Sequence, residues 1–298
     1  MIWINQLLQG VLLGGYYALI ACGLSFLFSV MRIINLAHGG LAVLAAYALF
    51  WLASRFGVSP FVGLIVVLPL MAALGWLLQK TILERSVRAG QLVPVLSTFG
   101  LAIVLDNLLF QTFGADTRSL APYVGSLSYD SWDVTDDISL GSLAVITFAT
   151  AVAMLGGLQL FLARTPLGRA IRATAEDPDT VGLVGVNAGR VNGIAMAIAM
   201  VTVGVAGAFL AMRATFAPYA GAAQLLFAFE ATVIGGVGSL WGTLIGGIVL
   251  GVAQSLGAQL HPQGFLIAGH AIFLVVLFAR LTVAARGGRL GAWLGGGK

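Results

Sequence analysis

The sequence predicts an all-α polytopic membrane protein, crossing a bilayer about eight or nine times through helices broken by glycine. Two observations carry that class. Of 298 residues, 59% are hydrophobic and 9% charged, with a mean hydropathy of +1.01. A soluble domain carries roughly 25% charged residues, and so few charges cannot cover a water-facing surface of this size. The apolar runs are also continuous instead of alternating with period two, which selects helices over a lipid-facing β-barrel.

Each span needs about 20 apolar residues. The first, near 6–29, has no cation before it and leads directly into further membrane sequence, so it reads as a membrane helix and not a removable signal. It carries Cys22, the single cysteine, which cannot form an internal disulfide. Further spans follow near 37–54, 61–79, 92–111, 140–162, 193–213, 225–258 and 264–281. The stretch 225–258 is too long for one crossing and rich in glycine. It reads as two short helices meeting at Gly235–Gly242.

Orientation follows from the cations. Eleven of the fifteen Lys and Arg residues fall in three groups: Lys80, Arg85 and Arg88; Arg164, Arg169, Arg172 and Arg190; Arg280, Arg286, Arg289 and Lys298. The positive-inside rule puts these groups in the cytoplasm. The loop 112–139, with Asp116, Asp130, Asp133, Asp136 and Asp137 against Arg118 alone, is expected outside. The count closes if 225–258 crosses twice, with the N-terminus outside and the C-terminus inside. The net charge of +4 is this inside bias and points to no nucleic acid. The glycine-rich tail from Gly287 is read as mobile.

Most of the chain belongs in lipid, but the segment 163–192 does not. Thr165 is placed to cap a helix with Pro166 at its first position, and Leu167 and Ile171 share one face. Asp177-Pro178 ends that helix, and a second short helix is expected from Pro178 to Gly185, a residue suited to a left-handed cap. A handle for another protein and a plain solvated loop both fit these residues.

Unaided chemistry is hard to find. Lys80-Thr81 follows Gln79 and not glycine, so no Walker A phosphate cradle exists. There is no G-x-S-x-G, no H-E-x-x-H and no metal-spaced Cys/His set; His38, His261 and His270 stand far apart. No metal, cofactor or enzyme activity is expected.

Two interruptions of the apolar pattern remain: Asn35 to Gly40, holding His38 and Gly39, and Gly235 to Gly242, holding Gly236 and Gly238 and preceded by Glu230. Broken membrane helices expose backbone groups that are tolerated only inside protein or along an aqueous cavity, and paired breaks point to a substrate pathway. Asn35, His38, Gly39, Gly40, Glu230, Gly235, Gly236 and Gly238 are therefore pathway candidates. A purely structural break is the alternative. Gly246, Gly247 and Gly251 are expected to serve close helix packing instead. Glu230 lies either near the outer face or on the pathway. Asp106 and Asn107 are expected near the outer surface.

Three stretches, SFLFSVMRIINLAHGGLAVLAAY, RAIRATAEDPDTVGLVGVNAGRV and ATVIGGVGSLWGTLIGGIVLGVAQ, together resemble the LivH-type permease subunits of branched-chain amino acid ABC importers. Two features depart from that pattern: Arg280-Leu281-Thr282 lacks the family's proline, and the 112–139 loop is unusually acidic. The resemblance implies a permease in a bacterial inner membrane, working with a second related permease, two cytoplasmic ATPase subunits and a periplasmic solute-binding protein. It implies alternating access, with amino acids as substrate. It also assigns Arg172, Ala173, Glu176, Asp177 and Gly185 to ATPase coupling. Urea or amides as substrate, or an ion-coupled secondary transporter, are the alternatives.

Overall fold

A computed structural model describes residues 2–90, 92–135, 138–178 and 180–294; of Ile2, Val134 and residues 284–294 only the backbone is described. Of the charges mapped above, Asp136, Asp137 and Lys298 lie outside the described residues, as do the side chains of Arg286 and Arg289.

The fold is helical throughout its apolar length. In chain order come α1 (Ile2–Met31), α2 (His38–Phe56) and α3 (Pro60–Leu78), which runs through a π-helical turn (Gln79–Leu83) into α4 (Glu84–Ala89). Then follow α5 (Val93–Phe113), a hairpin of β1 (Ser131–Thr135) and β2 (Ile138–Gly141), α6 (Ser142–Arg164) and α7 (Pro166–Glu176). The chain closes with α8 (Ala188–Arg213), α9 (Gly221–Gly235), α10 (Leu240–Leu260) and α11 (Gly264–Leu294). Eight of the described helical stretches are long and apolar enough to span a bilayer. At 15 residues, α9 is shorter.

The core lies along α1 and α8, around which α2, α3, α6, α9 and α10 pack. Tyr17, Ile20, Cys22 and Phe26 of α1 and Met196, Met200 and Ala206 of α8 are almost wholly buried. α1 and α10 run antiparallel with their backbones nearly touching. A Cβ on Gly10 or Gly14 would lie 2.6 or 2.4 Å from the backbone of Val252 or Ile248. One on Gly247 or Gly251 would meet the carbonyl of Gly14 or Gly10 at 2.5 or 2.4 Å. Small residues permit this approach, and dispersion across the seam replaces the hydrophobic drive that lipid removes. These contacts show the packing role expected for Gly247 and Gly251, and Gly246 fills it against α9, where a Cβ would lie 2.1 Å from the Ala231 carbonyl.

The bundle has two chemically distinct ends. One gathers Arg32, Arg88, Arg172 and the 236–239 turn, since two neighbouring cavities there join these segments. We call it the basic end. The other holds the N-terminus of α1, the C-terminus of α10 and the hairpin: the Gln6 amide donates to Gln259, and the Gln9 amide to the Ser139 carbonyl at 2.8 Å. This acidic end carries Asp116, Asp130 and Asp133, with Arg118 and Phe216 bridging their backbones. The sequence reading gave this loop no regular structure. The pairing Trp132↔Leu140 and Asp133↔Ser139 supplies it, with an irregularity between Asp133 and Thr135.

Candidate functional site

The first helix break is internal. α1 ends at Met31, and Arg32 takes a left-handed backbone (φ 53), reversing the chain. Residues 32–37 then climb back alongside α1, so that α2 begins within the bundle. His38 marks the depth: its Nε2 lies 2.7 Å from the Ile20 carbonyl, eleven residues back from Met31. At about 1.5 Å per residue that is roughly 16 Å inside the basic end.

Backbone groups in this climb need partners, and side chains supply them. The Leu36 N–H donates to Thr98 Oγ1 at 3.1 Å, and the Ala37 N–H to Asn35 Oδ1 at 3.0 Å. Asn35 and His38 are 1% and 0% exposed, and Asn35 Nδ2 and His38 Nδ1 have no partner. The start of α2 abuts the start of α9, itself inside the bundle. A Cβ on Gly39 would lie 1.9 Å from the Gly221 carbonyl, so only glycine allows this approach. Two helix N-termini, each with partial positive charge, thus converge in the interior. Asp106 of α5 sits beside them, its Oδ1 buried and 3.7 Å from where a Gly40 Cβ would be. The sequence reading put Asp106 near the outer surface. It faces the interior instead because α2 starts deep, leaving the late turns of α5 opposite a helix N-terminus.

Glu230 belongs to a different neighbourhood. It is 1% exposed on α9, and its Oε1 lies 2.6 Å from His270 Nδ1 on α11, while Oε2 has no partner. Beside this pair, the Tyr17 hydroxyl donates to Gln254 Oε1, Gln254 lies against Gly269 of α11, and the Tyr17 ring meets Phe227 of α9 at 5.1 Å. Nearby, the Tyr16 hydroxyl donates to Gln224 Oε1 at 2.5 Å, with the Arg213 guanidinium over the Tyr16 ring at 5.2 Å.

The second break lies at the basic end. α9 and α10 form an antiparallel pair whose close approach is made by Gly235 against Gly242. Gly236 (φ 99) and Gly238 (φ 84) make the turn, and Ser239 Oγ accepts from the Gly242 N–H at 3.0 Å. The Arg280 guanidinium donates to the Ile234 carbonyl at 2.9 Å, and Ser29 of α1 lies against Gly238. The pathway candidates therefore separate into three places. Asn35, His38, Gly39 and Gly40 meet in the interior, Glu230 meets α11, and Gly235, Gly236 and Gly238 form a turn at the basic end.

The 163–192 segment folds largely as its local sequence dictates. Thr165 Oγ1 accepts from the Gly168 N–H at 2.9 Å, capping α7. Ile171 and Thr174 are buried beneath α7, while Arg169, Arg172, Ala173 and Glu176 are exposed. After Asp177, the Val181–Val184 turn is a single 3₁₀ helix, and Gly185 closes it at φ 78. Asn187 Oδ1 then caps α8 through the Arg190 N–H at 2.9 Å. Leu183 and Val184 of the same segment are 86% and 78% exposed. Sequence reasoning did not single them out, although two bulky apolar residues in a polar island were a visible signal. Gly221, Thr98 and His270 were also missed as partners, because each pairs with a residue tens of positions away. Among the described residues, no group of acidic, His or Cys side chains could hold a metal.

Known proteins match this chain over nearly its whole length. The family described as branched-chain amino acid transport system, permease component, matches residues 6–285. The chain is 31% identical to the high-affinity branched-chain amino acid transport system permease protein LivH of Escherichia coli K12, over 94% of each chain. It is 27% identical to the corresponding permease protein BraD of Pseudomonas aeruginosa PAO1, over 95% of this chain and 96% of that one. Similarity extends to the permease protein LivM of Escherichia coli K12, at 26% identity over 88% of this chain and 66% of LivM. Breadth of match, a multi-pass helical bundle and a polar segment between spans agree, and the chain belongs to the family of branched-chain amino acid transport permease components.

Proposed function

We propose that the protein is the membrane-spanning permease of an ATP-driven importer for amino acids, branched-chain ones above all, working by alternating access in a bacterial inner membrane. The observation that carries this reading is the α7 segment. It presents Arg169, Arg172, Leu183 and Val184 outward from the end of the bundle where the cations gather. That end faces the cytoplasm by the positive-inside rule. With no phosphate-binding loop in the chain, the energy for uptake enters through docked ATPase subunits. α7 is braced by Thr165 and seated on Ile171 and Thr174, so it transmits their movement to α6 and α8. The acidic end receives a solute-binding protein. A second permease, of the kind LivM is to LivH, completes the enclosure of the substrate. Arg172, Ala173, Glu176, Asp177 and Gly185 form the coupling surface, and Asn35, His38, Gly39, Gly40 and Glu230 line or support the path. Gly235, Gly236 and Gly238 let the path's inner end move.

The test is reconstituted uptake of labelled leucine with ATP inside the vesicles. Replacing Glu176 and Asp177 together, or Gly185→Val, lowers uptake roughly tenfold or more, a loss of about 1.4 kcal/mol of coupling per decade. ATP hydrolysis and the binding protein's affinity stay unchanged. Undiminished coupled uptake in these variants overturns the docking assignment.

A further inference from the structure

At the basic end, apart from the interior start of α2, lies a cavity of about 500 Å³ to which the transport reading gives no ligand, although Glu176 on its wall also belongs to the proposed coupling surface. Its volume is in the range of small-molecule sites, roughly 300–1,000 Å³. Four segments distant in sequence build it: the end of α1 with Arg32, the π-turn and α4, the last turn of α7, and the start of α8. Its lining carries both signs of charge. Arg32 and Glu176 stand on its wall, and neither makes an ion pair among the described residues. Glu84 and Arg88 already neutralise each other at 2.6 Å. Two carboxamides, Gln79 (3% exposed) and Asn192, also line it, and Gln79 Oε1 and Asn192 Oδ1 lack partners.

Two further features mark this as more than a packing gap. Arg32 is the only described non-glycine residue with positive φ, a conformation that costs an ordinary residue of order 1 kcal/mol or more. That strain holds a guanidinium at the cavity wall where glycine would turn the chain more easily. The π-turn places Gln79 beside it, and such turns recur at functional sites.

We propose that this cavity binds a zwitterion: a small ligand, or headgroup, with an ammonium and a carboxylate or phosphate. Arg32 takes the anionic group in a charge-assisted, fork-shaped contact, and Glu176 with the carboxamide oxygens of Gln79 and Asn192 takes the ammonium. A purely anionic ligand would be repelled by Glu176, and a simple cation by Arg32. Two sources offer this chemistry, a free cytoplasmic amino acid and a phosphatidylethanolamine headgroup of the inner leaflet. In either case the bound molecule ties the last turn of α7 to α1 and α4. It thereby restrains the segment through which the proposed ATPases act.

The experiment uses the whole permease complex in nanodiscs, without ATP or binding protein, so it does not depend on transport. In phosphatidylcholine discs, labelled L-leucine binds saturably. Arg32→Gln and Gln79→Leu each weaken that binding roughly tenfold or more, while Glu230→Gln leaves it intact. In discs containing phosphatidylethanolamine, native mass spectrometry finds that lipid retained by the wild type and lost from Arg32→Gln. Leucine binding with Arg32 dependence identifies the amino acid as the source; lipid retention without leucine binding identifies the headgroup. Thermal unfolding confirms that the variants fold. The proposal falls if neither probe binds, or if both bind the folded Arg32→Gln and Gln79→Leu variants as they bind the wild type. Leucine binding lost in Glu230→Gln but kept in Arg32→Gln also overturns it, by placing the ligand on the transport path.

Discussion

The same sequence signal, a glycine-bearing gap in an apolar run at Asn35–Gly40 and again at Gly235–Gly242, produces two different structures, the climb at 32–37 and the turn at 236–239. The first gap climbs into the bundle and starts α2 against α9, with its backbone groups held by Asn35 and Thr98. The second is a tight turn at the basic end, capped by the exposed Ser239. What separates them is water. Inside the bundle each backbone N–H must find a protein partner, whereas at the end solvent substitutes for one that is lost. A gap in hydropathy therefore locates a break but does not give its depth.

Four substitutions grade this contrast. Gly39→Val has the largest effect, because the new side chain meets the Gly221 carbonyl with nothing flexible to yield. A loss of about 3 kcal/mol or more is expected, seen as failure to elute as a folded species in detergent. Asn35→Ala strands the buried Ala37 N–H and costs about 2 kcal/mol, read as a lowered unfolding midpoint. Gly238→Ala forces an alanine to φ 84 at the open turn and costs about 1 kcal/mol. Ser239→Ala removes a cap that water replaces, and its unfolding midpoint moves least, by about 0.5 kcal/mol in stability. Equal shifts for Asn35→Ala and Ser239→Ala would abolish the distinction between the two breaks.

Local signals explain why some of this was readable in the sequence. The cap at Thr165, the buried face of Leu167 and Ile171, the stop at Asp177-Pro178 and the left-handed Gly185 depend on neighbours within a few residues. All are found as expected, although the second helix of that segment shrinks to one 3₁₀ turn at Val181–Val184. The spans were visible because lipid demands about 20 apolar residues. Depth and partnership were not visible. A helix that is apolar all round gives no clue to which face meets protein, so the contacts of Glu230 with His270 and of Gly39 with Gly221 carry no pattern in one dimension. The start of α9 at Gly221 and not near 225 has the same cause. The β1–β2 hairpin was missed because its strands, five and four residues long, are too short to stand out beside the membrane pattern.

The glycine seam between α1 and α10 has a mechanical consequence. Along Gly10–Gly14 and Gly247–Gly251 the backbones leave no side chain between them to repack, and side-chain hydrogen bonds such as Tyr17–Gln254 tie the helices beyond that stretch, so the two behave as one stiff spar. That spar reaches from the Gln6–Gln259 contact at one end to Ser29 and Gly238 at the other. A displacement at either tip is therefore delivered to the opposite tip as the swing of a lever, with α6, α8 and α9 as the surfaces on which it pivots.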